Sequence, residues 1–323
     1  MKLLILGGTR FLGRSLVEAA AARDWEITLF NRGQSGPDVF PHLETVIGDR
    51  DGGLSALDGG RWDAVVDTCG YLPRLVGDSA RTLADRVGHY TFVSSISVYR
   101  DESKSGLNES SPVVVLDNPA TEEITGETYG GLKALCENAV QEAVPGRGLV
   151  VRPGLIVGPH DPSDRFSYWV ERVARGGRTL CPAPPHRPVQ VIDVRDLASW
   201  MIDLVESRTT GIVQATGDVH AFRDTLEACP GFDSVTPVWA DSAFLTDNNI
   251  TPWTELPLWM PGLEESGFMR ADTTRAREWG LTCRPLAGTA RDTLEWLQSL
   301  PSGRERKAGL APEKEASLLA RLA

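Results

Sequence analysis

The sequence of 323 residues has few cysteines and few histidines. Its five cysteines are scattered and odd in number, and none forms a CxxC pair, so we expect neither a disulfide framework nor a zinc site. Its five histidines lack the paired spacing of metal ligands, and we therefore expect no metal. Unpaired cysteines fit a reducing compartment, which predicts a cytoplasmic protein.

Positive charge and long apolar runs are also scarce. The chain has 33 Lys and Arg against 44 Asp and Glu, which gives a formal net charge of −11. Nucleic acids and anionic membranes bind basic surfaces, so we expect neither as a partner. No apolar stretch is long enough to span a bilayer, and no signal peptide is evident before the first apolar run.

The clearest pattern is an apolar run followed by a glycine-rich turn and a helical stretch. Residues 2–6 read KLLIL, and residues 7–13 read GGTRFLG. Strand, glycine turn and helix open a dinucleotide-binding unit. Gly7 allows a tight turn, Gly13 lets the helix pack close to the strand, and the free N–H groups of the helix face a pyrophosphate. The alternative is an ordinary strand-to-helix turn that happens to contain glycines.

Further apolar runs alternate with helical stretches. Runs at residues 26–30, 45–49, 63–67, 89–93 and 149–152 predict parallel strands that are buried on both faces. The predicted fold class is therefore α/β, with a Rossmann-type doubly wound parallel sheet and a smaller C-terminal substrate-binding lobe.

The domain boundaries follow from where this alternation stops. We expect residues 1–158 plus 189–218 to form the Rossmann NAD(P)-binding domain, and residues 159–188 plus 219–301 to form the substrate-binding lobe. Residues 302–323 predict a polar C-terminal tail, which either forms a short amphipathic helix or frays. The Trp- and Pro-rich residues of the lobe either cover a cleft or simply form a core.

A tyrosine and a lysine four residues apart carry the candidate chemistry. Tyr129 and Lys133 share one face of a helix predicted to begin near Tyr129. A nearby ammonium favours the phenolate, so Tyr129 can exchange a proton with a carbonyl or alcohol oxygen near neutral pH. Gly130 and Gly131 each cost roughly 1 kcal/mol within a helix, which we interpret as room for a ligand. Ser95 follows the fifth predicted strand, where its hydroxyl can donate to a substrate oxygen.

Five motifs in a fixed order make these patterns more specific. They are GGTRFLG at 7–13, SSISVY at 94–99, YxxxK at 129–133, RPGLIVGP at 152–159 and VIDVRDLA at 191–198. This order, over about residues 1–300, resembles the short-chain dehydrogenase/reductase superfamily. It is most similar to the extended and atypical branch, the epimerase/dehydratase-like proteins, in a subgroup with a GGTRF turn. The resemblance implies three catalytic residues, in which Ser95 orients the substrate oxygen, Tyr129 is the acid/base and Lys133 binds the nicotinamide ribose.

The same resemblance implies a set of cofactor-binding residues. They are Gly7, Thr9, Arg10, Phe11, Leu12, Gly13, Asn31, Arg32, Asp49, Arg50, Thr68, Cys69, Gly70, Tyr129, Lys133, Pro153 and Gly154. Within this set, Asp49 and Arg50 correspond to the family's contact with adenine. The turn 68–70 lines the cofactor, and the segment 152–154 packs beside the nicotinamide.

Three departures from the family pattern bear on the cofactor. Arg10 replaces the middle glycine of the turn, and its side chain either points away or adds charge near a phosphate. Asn31 and Arg32 end the second strand, where strict NAD users of the family usually place an acidic residue. A guanidinium suits a 2′-phosphate, so NADP(H) is favoured over NAD(H). The asparagine that many members carry on the helix before the fifth strand is missing.

The serine segment also bears on the reaction. Ile96 and Ser97 stand where sugar dehydratases of the family carry an Asp-Glu pair, which argues against a dehydratase. We expect an NADP(H)-dependent oxidoreductase that transfers a hydride between nicotinamide and a carbonyl or alcohol of a small molecule. One alternative is a nucleotide-sugar 4-epimerase with tightly bound NAD. The other is a non-catalytic NADP-binding regulatory or RNA-binding protein, which the acidic charge and the intact catalytic set disfavour.

The substrate pocket is predicted by position alone. We expect it to include Tyr71, Ser97, Phe166 and Trp169, with parts of the loop 101–127, of residues 154–160 and of residues 237–261. Arg165, Arg172, Arg178 and Arg187 either bind an anionic group of the substrate or are solvated. Such folds often dimerise through two helices per subunit, including the one that carries Tyr129, so a homodimer is compatible with the sequence, as is a monomer.

Overall fold

The computed structural model describes residues 1–36, 38–262, 267–301 and 303–322. Residues 263–266 of the predicted lobe, and residues 302 and 323 of the predicted tail, lie outside the described residues. The strands are β1 Lys2–Leu6, β2 Glu26–Asn31, β3 Glu44–Ile47, β4 Trp62–Asp67, β5 Val87–Val93, β6 Gly148–Pro153, β7 Leu155–Val157, β8 Gly177–Pro182, β9 Pro188–Asp193, β10 Gly211–Ala215, β11 Val219–Ala221 and β12 Val235–Ala240. The helices are α1 Phe11–Ala21, α2 Pro73–Leu83, α3 Gly126–Ala143, α4 Ser167–Arg175, α5 Val194–Glu206, α6 Phe222–Glu227, α7 Ser242–Asp247, α8 Thr274–Glu278, α9 Leu286–Ser299 and α10 Pro312–Arg321.

A seven-stranded parallel sheet has the order β3-β2-β1-β4-β5-β6-β10, which confirms the predicted doubly wound fold. The apolar run of β1 shows why this sequence forms a central strand. Leu3 and Ile5 face one hydrophobic core cluster, and Leu4 and Leu6 face another. Each such buried side chain stabilises the fold by about 1.5–3 kcal/mol, so both faces of the strand favour this position.

Helices cover both faces of the sheet. On one face α1 packs against α5, and on the other α2 packs against α3. From β1 the chain proceeds outward to β2 and β3, and then crosses back to β4 on the other side of β1. Such a reversal of strand order opens a crevice beyond the carboxyl ends of the strands, where ligands of open α/β sheets bind.

The smaller lobe is built on two short sheets. Strands β7, β9 and β11 form one sheet, and β8 pairs in parallel with β12. The predicted Rossmann segment 189–218 is therefore divided, because α5 and β10 belong to the large layers whereas β9 pairs with β7 and β11. The lobe has its own core, in which Tyr168, Trp169, Phe222 and Trp259 are buried.

The residues after 303 include a packed helix in place of a purely polar tail. Leu318 and Leu319 of α10 are buried in the core of the lobe. Both carboxylate oxygens of Glu315 accept hydrogen bonds from Nε of Arg172, at 2.8 and 2.9 Å. The amphipathic-helix alternative is therefore the one that the structure adopts. No helix in the described part of the chain is long and apolar enough to cross a membrane.

Candidate active site

A cleft of about 1270 Å³ lies along the carboxyl edge of the large sheet and extends to the lobe. Sites for single small molecules usually measure about 300–1000 Å³, so this cleft has room for a dinucleotide and a substrate together. All but one of the predicted cofactor-binding residues line it. The exception is Gly70, which the cleft lining does not include. Among the described residues, no cluster of histidine, cysteine and carboxylate side chains is arranged to hold a metal ion.

The glycine-rich turn forms one wall of the cleft. Gly7 and Gly8 adopt φ angles of +106° and +96°, which L side chains rarely adopt. A Cβ on Gly13 would lie 2.9 Å from the backbone nitrogen of Gly8, so Gly13 allows α1 to pack closely on the turn, whereas the sequence predicted close packing on the strand. Phe11, the first residue of α1, also has a positive φ of 38°. The free N–H groups at the start of α1 therefore face the cleft, and the turn fits a pyrophosphate.

The end of β2 carries no carboxylate. The Asn31 amide donates to the carbonyl of Gly7 at 3.4 Å, and its oxygen accepts the N–H of Gly33 at 2.8 Å. The Arg32 side chain is 62% exposed and lies 3.9 Å from Asp49. Arg10 is also exposed and lines the cleft. Arg32 therefore places one exposed guanidinium at the end of β2, whereas the charge of Arg10 acts on Tyr71 and opposes the rise in the pKa of that phenol.

A buried ion pair holds the turn after β4. Arg50 donates two hydrogen bonds to Asp67, at 2.7 and 3.1 Å, and one to Ser79 at 2.9 Å. Asp67 also accepts bonds from the Tyr90 hydroxyl and the Cys69 N–H. Burial acts to raise the pKa of Asp67, but the Arg50 guanidinium holds it below its usual value. Arg50 lines the cleft as predicted, but its terminal donors are directed at Asp67 and Ser79.

Ser95 and Tyr129 are brought together as predicted. Helix α3 begins at Gly126, three residues earlier than expected, and carries Tyr129 into the cleft. Burial raises the pKa of Tyr129, while the neighbouring Ser95 hydroxyl and the charge of Arg165 oppose this rise. The Ser95 hydroxyl also accepts the N–H of Ser97 at 3.1 Å. Tyr129 is therefore a protonated phenol at neutral pH and can donate to an oxygen held by Ser95.

Lys133 lies four residues after Tyr129 on α3 and is buried, with 3% of its surface exposed. Its ammonium donates to the carbonyls of Gly70 and Val93 at 2.7 and 2.6 Å, and lies 4.3 Å from the ring centre of Phe92. Burial lowers the pKa of Lys133 to about 8. Two of its three N–H donors are used by carbonyls, which leaves one for a ligand hydroxyl. The positive charge that opposes the rise in the pKa of Tyr129 is that of Arg165. From the sequence we had expected Lys133 to have this effect.

Three glycines of the site are explained by packing of the protein itself. A Cβ on Gly130 would lie 2.0 Å from the carbonyl oxygen of Ser97, and one on Gly131 would lie 2.5 Å from Leu116. Protein atoms therefore fill the space that we had interpreted as room for a ligand. A Cβ on Gly154 would lie 2.6 Å from Thr216, so the segment after β6 packs closely on the chain that follows β10.

Two of the four predicted substrate residues line the cleft, and two do not. Tyr71 is 47% exposed, with its ring centre 6.5 Å from that of Tyr129, and Ser97 lies beside Ser95. Phe166 and Trp169 are both 0% exposed. Their prediction as substrate contacts is wrong, because Trp169 is packed in the lobe core, where its indole donates to the carbonyl of Pro257 at 2.8 Å.

The lobe contributes other residues to the cleft. Arg165 is exposed there and lies 5.5 Å from the ring centre of Trp253. Of the four arginines considered for an anionic group, Arg172 is instead paired with Glu315, and Arg178 donates to a backbone carbonyl of α10. Asp161 was not predicted, although it directly follows the expected lining segment 154–160. Met260 and Phe268 of the lobe also line the cleft, as does Glu102 of the loop 101–127.

Comparison with known proteins identifies the fold. No protein-family model matches the sequence, and no curated protein sequence matches it. The enzyme WbmH of Bordetella bronchiseptica, solved with NAD⁺, has a TM-score of 0.69 at 15% identity, covering 92% of this chain and 98% of that chain. The UDP-glucuronic acid 4-epimerase of Bacillus cereus, solved with NAD, has a TM-score of 0.68 at 13% identity, covering 95% and 100%. The B. bronchiseptica enzyme WbmG with NAD and UDP has a TM-score of 0.68 at 17% identity, covering 92% and 94%.

These likenesses extend over nearly the whole of each chain. They agree with the Rossmann-type α/β fold that the sequence predicted. At such low identity they do not transfer a substrate or a reaction, which have to be argued from the side chains of this cleft.

Proposed function

We propose that this protein is a nicotinamide-dependent enzyme that transfers a hydride between the cofactor and a carbonyl or alcohol carbon of a small molecule. The observation that carries the proposal is the Ser95–Tyr129 pair, which lies in the same cleft as the glycine-rich turn. The turn fits a dinucleotide because Gly7 and Gly8 have positive φ angles and Gly13 packs closely on Gly8, so no side chain of these glycines covers the start of α1. The N–H of Gly7 itself donates to the carbonyl of Phe30 at 2.9 Å.

Three residues of the chain have separate roles in this reaction. When bound, the nicotinamide supplies or accepts the hydride. Ser95 holds the substrate oxygen beside Tyr129, and the Tyr129 hydroxyl donates its proton to that oxygen as the carbonyl is reduced. In the reverse direction Tyr129 takes the proton from an alcohol. Lys133 holds the ribose with its remaining N–H donor, since its other two donors are used by Gly70 and Val93.

We infer that the preferred form of the cofactor is NADP(H). The end of β2 offers Asn31, whose amide is used by the backbone, and no carboxylate for the ribose hydroxyls. Arg32 directly follows Asn31, is exposed and suits a 2′-phosphate. The solved structures with this fold named above contain NAD, and this is the observation that favours the other form.

The same observation supports a second candidate, a sugar-nucleotide epimerase that retains its NAD. The fold neighbour from B. cereus is named as a UDP-glucuronic acid 4-epimerase, and WbmG was solved with UDP. An epimerase would use Tyr129 and Ser95 in the same roles but would consume no cofactor. The two candidates differ in how the cofactor is held and in its net consumption.

One experiment on the purified protein distinguishes the reductase from the epimerase. Its absorbance at 340 nm and its fluorescence are followed during titration with NADPH and with NADH. A protein that is purified without cofactor and binds NADPH more tightly than NADH supports the reductase. NAD that is released only on denaturation would reject the dissociable NADP(H) assignment and favour the epimerase.

A further inference from the structure

One arginine of the lobe lines the cleft without a charged partner. Arg165 lies in the loop between β7 and α4, and its side chain is exposed in the cleft. Its backbone N–H donates to the Ser163 hydroxyl at 3.4 Å, whereas its guanidinium forms no hydrogen bond or ion pair with any described residue. The N–H donors of this guanidinium are therefore accessible to a molecule bound in the cleft.

Other arginines of this region are neutralised by carboxylates. Three of them, on α4 and in residues 303–311, form ion pairs at 2.6–2.8 Å: Arg172 with Glu315, Arg304 with Asp164, and Arg306 with Glu171. A guanidinium that has no such partner binds oxyanions through charge-assisted hydrogen bonds. The position of Arg165 in the cleft therefore indicates an anionic group on the ligand.

An aromatic ring holds Arg165 in this position. The guanidinium carbon lies 5.5 Å from the ring centre of Trp253, which packs edge-on against Phe268 at 6.1 Å. These two aromatic residues and Met260 line the cleft. Trp253 has a φ of +59°, a conformation that bulky residues rarely adopt and that is concentrated at ligand-binding sites. A flat apolar group can therefore pack on these rings while an attached anion reaches Arg165.

The charges on this side of the cleft favour a single negative charge on the ligand. Arg165 contributes one positive charge. Two carboxyl groups line the cleft in the same region, because Asp161 is on the same loop and the backbone carbonyl of Glu102 accepts the N–H of Phe268 at 3.1 Å. Neither carboxyl forms an ion pair with Arg165 among the described residues. A carboxylate therefore fits this region better than a phosphate monoester, which carries up to two charges.

We propose that Arg165 binds a carboxylate of the substrate, and that Trp253 and Phe268 contact the flat apolar body to which the carboxylate is attached. The substrate is then an aromatic or similarly flat acid that also bears the reacting carbonyl or alcohol. The proposal rests on the proposed function in taking the occupant of this part of the cleft to be the substrate.

Two probes of the same shape that differ in charge test this proposal. Binding of cinnamate and of cinnamamide is measured by ligand-observed NMR, on the full-length protein without dinucleotide and with saturating NADP⁺. In both conditions we expect cinnamate to bind at least about tenfold more tightly than the amide, which corresponds to about 1.4 kcal/mol. Acetate, which has the carboxylate but no ring, should bind at least about tenfold more weakly than cinnamate.

Arg175 provides a matched control on the same lobe. It is an exposed arginine at the end of α4 and lies outside the set of residues that line the cleft. Arg165→Gln and Arg175→Gln each remove one positive charge from the protein. The preference for cinnamate should fall below about twofold in Arg165→Gln and should stay within about twofold of the wild-type value in Arg175→Gln.

The proposal would be overturned by equal binding of the two probes to the wild-type protein, by no binding of cinnamate, or by a preference that survives in Arg165→Gln. Acetate that bound as tightly as cinnamate would reject the contact with the aromatic rings. A preference that saturating NADP⁺ abolished would mean that Arg165 binds a phosphate of the dinucleotide instead.

The wild-type comparison decides the matter even where Arg165→Gln fails to fold. Failure of the proposed function is distinguishable, because the protein would then not bind NADP(H) or not transfer hydride, while the preference for cinnamate persisted without dinucleotide.

Discussion

Gly130 and the carbonyl oxygen of Ser97 are in such close contact that a Cβ on Gly130 would lie 2.0 Å from that oxygen. This contact joins α3, which carries Tyr129, to the segment that carries Ser95. The spacing of the Ser95 and Tyr129 hydroxyl groups therefore depends on the absence of a side chain at position 130.

Gly130→Ala should separate Ser95 from Tyr129 and lower kcat at least about tenfold, because a misplacement of about 1 Å costs up to a hundredfold in rate. Steady-state kinetics and the dissociation constant of the dinucleotide are measured together. Gly288→Ala in α9 is the control, since a Cβ there meets no atom within 4 Å. It should stabilise the protein by about 0.5–1 kcal/mol and leave kcat unchanged. An unaltered kcat in Gly130→Ala would contradict the coupling.

Removing the hydroxyl groups of the pair should have graded effects. Tyr129→Phe should lower kcat by about 10²–10⁴, the usual contribution of a general acid, with no change in dinucleotide affinity. Ser95→Ala should lower kcat and also raise the pKa of Tyr129, because the neighbouring Ser95 hydroxyl acts to lower that pKa. The alkaline limb of the pH–rate profile should therefore move to higher pH in Ser95→Ala. A Tyr129→Phe variant with full turnover would reject the acid/base assignment.

The sequence predicted the Rossmann sheet, the glycine-rich turn and the Ser95–Tyr129 pair because each depends on local patterns. Buried strands require continuous apolar runs, and Gly13 is needed wherever a helix start packs on the turn before it. The order of the motifs then placed Ser95 and Tyr129 at the same edge of the sheet. These features therefore required no knowledge of long-range contacts.

Side chains of the lobe could not be placed in this way. Phe166 and Trp169 were assigned to the substrate because aromatic residues near a cleft and in a core look alike in sequence, and the core contains both. The partners of Arg172 and Arg165 are equally unpredictable, since Glu315 lies 143 residues from Arg172 and Trp253 lies 88 residues from Arg165. Contacts between irregular segments far apart in the chain are specified by tertiary packing, which no local pattern records.

From the lowered pKa of Lys133 we expect the affinity for NADPH to fall with rising pH and the free energy of unfolding to rise. Its pKa is about 8 in the folded protein, against an ordinary value of 10.5. Affinity for NADPH should fall as the pH rises through about 8, because the ammonium and its donor to the ribose are lost. Between pH 8 and 10.5 the unfolded chain binds the proton and the folded protein does not, so the free energy of unfolding should rise with pH.

Fluorescence titration with NADPH and urea unfolding between pH 6.5 and 10 measure both trends. The matched variant is Lys133→Met, which should bind NADPH weakly at every pH and lose this part of both dependences. If the affinity of the wild-type protein were constant across pH 8, Lys133 would not be the residue that holds the ribose.

From the exposed Arg32 at the end of β2 we predict the choice of cofactor. Arg32→Ser should weaken NADPH binding about tenfold, as expected for loss of a charged hydrogen bond of about 1.5 kcal/mol. NADH binding should change less than about twofold, because NADH has no 2′-phosphate. Arg81→Ser is the control, since Arg81 is an exposed arginine of α2 paired with Asp78. A wild-type protein that binds NADH more tightly than NADPH would overturn the assignment.

We predict that α10 both stabilises the protein and holds Trp253 in position on the substrate side of the cleft. Arg172 and Glu315 are each 5% exposed at their side chains, so Glu315→Ala leaves a buried guanidinium without its carboxylate. Breaking such a pair costs about 3–5 kcal/mol, which urea unfolding measures. The next residue towards the N-terminus, Lys314, holds Glu255 at 2.7 Å, two residues from Trp253 in the cleft.

Loosening α10 should therefore raise the KM for the substrate and leave the dissociation constant of the dinucleotide unchanged. Glu313→Ala is the matched control, because Glu313 is an exposed carboxylate in the same turn of α10. It should unfold within about 0.5 kcal/mol of the wild-type protein, as is usual for exposed positions. Equal losses of stability in the two variants would mean that the Arg172–Glu315 pair does not anchor the helix. A KM that stayed constant in Glu315→Ala would separate the anchoring of α10 from the position of Trp253.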